Sequence, residues 1–185
     1  MILNAFYNKV NDVLVVNTGK KAKSQKIDGD IVSFYNDNNE LVGMNLFNQE
    51  KLPAGIVSYD NLPDIVKTSF PVPTRSPFVW GYIEECEKHP KSDKLQICQV
   101  NIGTETVQIV CGAKNCAQNN YVCVATLGAI MPSGMKIVEA SVAGVESFGM
   151  MCSEKELGLI DDTKSGIILT STQKDLGSAF ELGAL

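Results

Sequence analysis

Phe78-Val79-Trp80-Gly81-Tyr82-Ile83-Glu84-Glu85-Cys86-Glu87, followed after one turn by Leu95-Gln96-Ile97-Cys98-Gln99-Val100-Asn101, sets the rhythm of the larger part of this 185-residue chain. These stretches are rich in β-branched and aromatic residues and end in turn formers, which predicts strands. Three more candidates follow at Thr106–Val110, Tyr121–Thr126 and Met135–Val142, each set off by Gly, Pro or Asn. Strands this short and this closely spaced predict a small barrel or sandwich. Alternation is imperfect, because Leu95–Val100 carries apolar groups on both faces, as in a strand buried on one side and partly covered on the other. Phe78, Trp80 and Tyr82 share one face of their strand. Their apolar character predicts barrel core rather than an exposed surface for stacking bases.

Upstream the texture changes. Val13–Val16 ends at Asn17-Thr18-Gly19, and Ile27–Tyr35 reads as a strand that stops at Asn36-Asp37-Asn38-Asn39 before Leu41–Phe47 returns. Lys20, Lys21, Lys23 and Lys26 form a basic run in the connection, read as a solvated loop. Leu62, Ile65 and Val66 have the spacing of a short helix within Tyr59–Thr68. Pro71, Pro73 and Pro77 then remove three backbone donors and hold the chain extended. The expected organisation is a small mixed α/β domain over residues 1–74 and a mainly β domain over 75–185, the latter a five-stranded barrel with short helices. A partly open five-stranded barrel is the oligonucleotide-binding architecture, the OB-fold.

Composition is that of a soluble globular protein, with 44% hydrophobic and 20% charged residues. No apolar run approaches the ~20 residues of a membrane span, and the first residues do not read as a signal peptide. Cytoplasm is the expected location, with no membrane partner. A net charge of −5 counts against a polyanionic ligand, since phosphate contacts dominate such affinity. The charge is uneven, however. Residues 88–136 contain Lys88, Lys91, Lys94, Lys114 and Lys136 against Asp93 and Glu105, a balance of +3, while acids crowd on either side (Glu84, Glu85, Glu87; Glu139, Glu146, Glu154, Glu156, Asp161, Asp162).

Cys86, Cys98, Cys111, Cys116, Cys123 and Cys152 include no C-x2-C pair, and His89 is the single histidine. The spacing argues against a zinc site and for buried thiols acting as small hydrophobes. No phosphate-binding loop, nucleophile elbow or H-E-x-x-H pattern is present. Cys86 and His89 stand at an odd separation where strand passes into turn, so no catalytic pair is expected. Neither an enzyme nor a cofactor is predicted.

Four segments carry more than the pattern does: Glu87-Lys88-His89-Pro90-Lys91-Ser92-Asp93-Lys94-Leu95; Gln108-Ile109-Val110-Cys111-Gly112-Ala113-Lys114-Asn115; Leu127-Gly128-Ala129-Ile130-Met131-Pro132-Ser133-Gly134-Met135-Lys136-Ile137; and Val142 to Leu159, with Gly149-Met150-Met151-Cys152-Ser153-Glu154 inside it. In this order and spacing they resemble the tRNA-binding domain found near the amino terminus of bacterial phenylalanyl-tRNA synthetase β subunits. The resemblance covers roughly residues 76–182. Residues 1–75 look like the extra domain of free-standing YtpR-type proteins, a looser match. The resemblance implies an OB-fold barrel, tRNA as ligand through its backbone and corner, and no reaction. It places contacts at Lys88, Lys91, Lys94, Lys114, Asn115, Met150, Ser153 and Glu154, with Lys136 of the third segment completing the set.

Several of these residues have plainer readings. Asn115 could cap a helical turn over Cys116–Asn119, and Ser153 with Glu156 fits the capping-box spacing S-x-x-E. Met150 and Met151 suit a core. With few stacking platforms, recognition of folded RNA by shape and backbone is favoured over capture of single strands. Lys9 and Lys174 lie outside the basic stretch and are not expected to matter for RNA. The competing function is a protein-interaction module serving translation or tRNA-handling partners, which the acidic balance suits. A second copy of the chain and an aminoacyl-tRNA synthetase are the protein partners left open.

Overall fold

The structure, a computed structural model, describes residues 1–159 and 165–181. Asp161 and Asp162 of the acidic flank, and the last residue of the resemblance, lie outside the described residues. The chain divides into two compact units, with Met1–Ser76 in the first and Pro77–Phe180 in the second.

In the first unit, β1 (Asn4–Asn8), β2 (Val13–Asn17), β3 (Ser24–Asp28), β4 (Ile31–Tyr35), β5 (Leu41–Phe47) and β6 (Gly55–Ile56) form an antiparallel sheet ordered β3-β4-β5-β2-β1-β6. The stretch expected as one strand, Ile27–Tyr35, is broken. Asp28 and Ile31 pair across a two-residue turn in which Gly29 has φ +56°. Gly-Asp is a hairpin signal because glycine takes positive φ at little cost. The Asn36–Asn39 loop closes the next hairpin, with the Asn36 side-chain oxygen accepting from the Asn38 and Glu40 amides at 2.9 and 3.0 Å.

A single 3-10 turn (Tyr59–Asn61) precedes the helix α1 (Asp64–Ser69). Pro63 sits where a missing N–H costs nothing, and its carbonyl accepts from Val66. Leu62, Val66 and Phe70 join Leu14, Val16, Met44 and Leu46 in the core, whereas Ile65 stays 45% exposed. The apolar spacing therefore located the helix but assigned one residue too many to its buried face.

The second unit contains β7 (Phe78–Lys88), β8 (Gln96–Asn101), β9 (Thr106–Cys111), β10 (Tyr121–Ala125), β11 (Ala140–Val142), β12 (Val145–Ser147), β13 (Met150–Met151) and β14 (Leu169–Thr170). The sheet runs β13-β10-β7-β8-β9, with β14 also on β10. A bulge between Ile83 and Glu85 divides β7, so that residues 78–82 pair with β10 and residues 82–88 with β8. Such a bulge bends and twists its strand, which curls the sheet. The Phe148 amide donates to the Gln108 carbonyl at 2.8 Å and the Val110 amide to Ser147 Oγ at 3.1 Å, which nearly closes the sheet between β9 and the approach to β13. The result is a five-stranded barrel of the oligonucleotide-binding kind.

The fifth barrel strand is β13, not Met135–Val142. Only Ala140–Val142 of that stretch is a strand, and it pairs with β12 in a separate hairpin. Residues 129–137 instead fold back on themselves: Met131 donates to Met135, Gly134 to Met131, and Gly134 has φ +88°. Pro132-Ser133-Gly134 is a turn sequence strong enough to interrupt the apolar run. Nor do residues 116–119 form a helix. The Asn119 amide donates to the Ile83 carbonyl, and Ile83 donates to Asn120, so the β7 bulge takes the backbone bonds a helix would need.

Val79, Ile83, Cys98, Val100, Ile109, Val122, Val124 and Met151 fill the interior. Gly81 shares that face, and a Cβ there would lie 2.9 Å from methyls of Val100 and Val124. Phe78, Trp80 and Tyr82 point the other way. Phe78 and Trp80 are buried, yet in a separate outer layer beneath residues 175–180. The Trp80 amide donates to the Ser178 carbonyl, Gly177 donates to Trp80, and the Phe180 ring lies 4.8 Å from that of Trp80. Tyr82 is half-buried against Tyr121, ring to ring at 4.9 Å. Among the described residues, no helix is long and apolar enough to cross a membrane.

Candidate nucleic-acid interface

The first basic segment is built around His89. Its amide donates to the Leu95 carbonyl at 3.0 Å, and its Nδ1 accepts from the Lys91 amide at 3.0 Å. The Ser92 amide donates to the His89 carbonyl, and Ser92 Oγ accepts from the Lys94 amide. A buried imidazole at the centre of a turn forces the neighbouring lysines outward, and Lys88, Lys91 and Lys94 are all exposed. His89 thus shapes the turn. The Cys86 thiol donates to Gln96 Oε1 at 2.6 Å, so thiol and imidazole are engaged elsewhere rather than with each other.

Tertiary structure brings the other segments alongside. A Cβ on Gly112 would lie 3.4 Å from Leu95 Cδ2, which puts the Gly112–Asn115 turn beside the first one. A Cβ on Gly144 would lie 3.3 Å from Lys91 Nζ, so the tip of the β11–β12 hairpin is the third neighbour. Lys114 is exposed on the second turn. Lys136 is exposed at an isolated bridge with Ile130, in the folded-back loop. Among the described residues none of Lys88, Lys91, Lys94, Lys114 or Lys136 has a carboxylate within ion-pair distance. These ammonium groups are free to neutralise phosphates and release the counterions that make such binding favourable.

Asn115 has a structural task. Its Oδ1 accepts from the Ile167 amide at 3.0 Å and its Nδ2 donates to the Ile167 carbonyl at 2.8 Å, in place of a strand partner. Gly166, at φ +105°, makes room, because a Cβ there would collide with the Asn115 amide. Ser153 bridges to Ile167 as well. The capping-box geometry is present at that turn: Glu156 Oε2 accepts from the Ser153 amide and hydroxyl at 2.8 and 2.6 Å, and the Glu156 amide donates to Ser153 Oγ at 3.3 Å. Glu154 and Asn115 line one open pocket of about 450 Å³ with residues 165–170. Met150 is half-buried in β13, paired with Ala125. The chain of neighbours thus runs from the Lys88–Lys94 turn through Lys114 and Asn115 to Ser153 and Glu154, whereas Lys136 sits in the folded-back loop and Met150 in β13.

Sequence reading passed over the face between β8 and β9. Gln99 Nε2 donates to Gln108 Oε1 at 3.3 Å, and Gln108 Nε2 donates to the Glu146 carbonyl at 2.7 Å. Oligonucleotide-binding barrels use the face of their second and third strands for ligands. Here that face offers the two glutamine amides, and at its other end the Glu84 carboxylate accepts from Asn101 Nδ2 at 3.0 Å and from Thr106 Oγ1 at 3.1 Å. Period-2 placement could have flagged Gln99 and Gln108 as outward, but only the observed register sets them side by side. Lys174, by contrast, lies 4.8 Å over the Trp80 ring, a cation–π contact in the outer layer.

The second unit is a small barrel of the oligonucleotide-binding kind with exposed lysines on adjoining turns. Residues 78–179 match the family described as "Putative tRNA binding domain", and the chain belongs to that family. It is 40% identical over 201 aligned residues to the "Putative tRNA-binding protein YtpR" of Bacillus subtilis, covering 97% of this chain and 100% of that one. Shorter matches are to phenylalanine–tRNA ligase β subunits. That of Campylobacter jejuni is 57% identical over 49% of this chain and 12% of the subunit, and that of Sulfurimonas denitrificans is 45% identical over 70% and 16%. The chain therefore spans less than a fifth of either synthetase subunit.

Proposed function

We propose that this protein binds folded tRNA without catalysing a reaction on it, and that it recognises backbone and shape rather than base sequence. The observation that carries the proposal is the set of exposed lysines, without ion pairs among the described residues, on the Lys88–Lys94 and Gly112–Asn115 turns of a tRNA-binding-family barrel. Lysine ammonium groups on turns follow phosphates without selecting bases. The glutamine face between β8 and β9 and the pocket shared by Asn115 and Glu154 supply hydrogen-bonding groups beside them. Residues 1–74 are proposed as a separate domain, and a synthetase or a second copy of the chain as its protein partner.

Fluorescence anisotropy with unfractionated tRNA over a series of salt concentrations tests the reading. Saturable binding with little preference among tRNAs is expected. Lys91→Glu and Lys114→Glu should each weaken binding roughly three- to tenfold and flatten the slope of log affinity against log salt by about one. Lys9→Glu should leave both unchanged. Lys174→Glu is a poor control, since it removes the cation–π contact with Trp80. Absence of saturable binding at low salt would overturn the proposal.

A further inference from the structure

Three cysteines far apart in sequence meet at the end of the barrel that carries the basic turns. Cys86 and Cys98 face each other across β7 and β8, and Cys116 follows the turn after β9. Their sulfurs lie 3.2 Å (Cys86–Cys98), 3.4 Å (Cys98–Cys116) and 3.7 Å (Cys86–Cys116) apart. All six cysteines are free thiols. Cys98 and Cys116 are buried, while Cys86 is half-exposed and leaves a way in from solvent.

We propose that Cys86, Cys98 and Cys116 form a three-thiolate site for a thiophilic d10 cation, Zn(II) or Cu(I). Bonds of about 2.3 Å from a metal to three thiolates place the sulfurs about 3.8–4.0 Å from one another. The Cys86–Cys116 edge is already close to that length, and the shortest edge, Cys86–Cys98, has to open by about 0.6–0.8 Å. Thiolate ligands select this class of ion over harder cations. On binding, three S–H bonds break, three metal–sulfur bonds form, and three protons leave to solvent. With a divalent ion the site keeps one net negative charge, and Lys88 and Lys114 each stand two residues from a ligand. Gln96, whose Oε1 accepts from the Cys86 thiol at 2.6 Å, turns its NH2 toward the thiolate in the loaded state. The buried Cys111 thiol interacts with that of Cys116 beside the triangle. Because the ligands come from β7, β8 and the loop after β9, a bound ion ties together the supports of Lys88 and Lys114.

The test uses the full chain, reduced with a phosphine, stripped with a chelator and titrated with Cd(II) as a spectroscopic stand-in for Zn(II). A thiolate-to-metal charge-transfer band should saturate at one equivalent, and Zn(II) or Cu(I) should displace it. Whichever displaces it at the lower free concentration is the preferred ion. Cys86→Ala and Cys116→Ala should each weaken binding at least about tenfold. Cys123→Ala, in the buried pair with Cys152 outside the triangle, should not. Native Trp80 emission shows that each variant is folded, and Cys86, being half-exposed, is the substitution least able to disturb the core. No band in the wild type, binding unchanged by Cys86→Ala in the folded protein, or equal loss with Cys123→Ala would each overturn the proposal.

Discussion

Lys20 and Lys23 of the first unit differ from the turn lysines of the second in one respect, the nearness of a carboxylate. In the first, Lys20 pairs with Glu40 at 3.2 Å and Lys23 with Asp37 at 2.6 Å, across the loops that join β2 to β3 and β4 to β5. Hydrogen bonds from Asn36 and then Lys20 hold the Glu40 carboxyl below its ordinary range. In the second, Lys88, Lys91, Lys94 and Lys114 stand on tight turns organised by His89 and Gly112 and make no ion pair among the described residues. Two lysines of the basic run, Lys20 and Lys23, thus meet carboxylates, while among the described residues Lys88, Lys91, Lys94 and Lys114 meet none. The proposed interface therefore rests on how the turns gather its lysines as well as on where carboxylates lie.

The largest effect that can sharpen this contrast lies in the barrel's outer layer. Phe180→Ala uncovers Trp80 and should cost about 3–5 kcal/mol. Trp80 is the chain's single tryptophan, so its emission during urea unfolding reports on the barrel unit. The midpoint should fall there while far-ultraviolet dichroism retains a later component from the first unit. One coincident transition would show that the units unfold together.

Next comes the strut behind the second basic turn. Gly166→Ala forces a side chain into the Asn115 amide at φ +105° and should destabilise the barrel by about 1–3 kcal/mol. It should also weaken tRNA binding more than Lys114→Glu does, because it displaces the support of the whole turn. Undiminished binding in the folded variant would detach Asn115 from the interface.

The smallest effects belong to the paired lysines. Lys20→Glu and Lys23→Glu should each change stability by no more than about 1 kcal/mol, as exposed ion pairs do. They should leave tRNA affinity and its salt slope as they are in the wild type. Losses matching those of Lys91→Glu would mean that diffuse charge, not a defined face, drives binding.

The thiols show where linear spacing stops being informative. Burial pushes the Cys86 thiol up to about 11 despite the lowering influence of its contact with Cys98. Separations of 12 and 18 residues gave no hint of that contact, since a metal-binding signature read along the chain presumes ligands from one turn. Similarly, Met135–Val142 has the composition of a strand, and only the Pro132–Gly134 turn and the closure of β9 onto residues 147–148 exclude it from the barrel.

Local chemistry was enough to determine four of the five barrel strands, a short helix within Tyr59–Thr68, the Ser153–Glu156 box and the exposed lysines of the first turn. Each depends on neighbours within a few residues: alternation, helical spacing, a short polar side chain, a charge that stays in water. The tertiary structure alone decided which strand completes the barrel, that Phe78 and Trp80 are buried beneath residues 175–180 rather than inside, that Asn115 is spent on Ile167, and that three cysteines converge. Those outcomes depend on register and on strand closure, which bring together residues tens of positions apart and leave no periodic trace in the sequence.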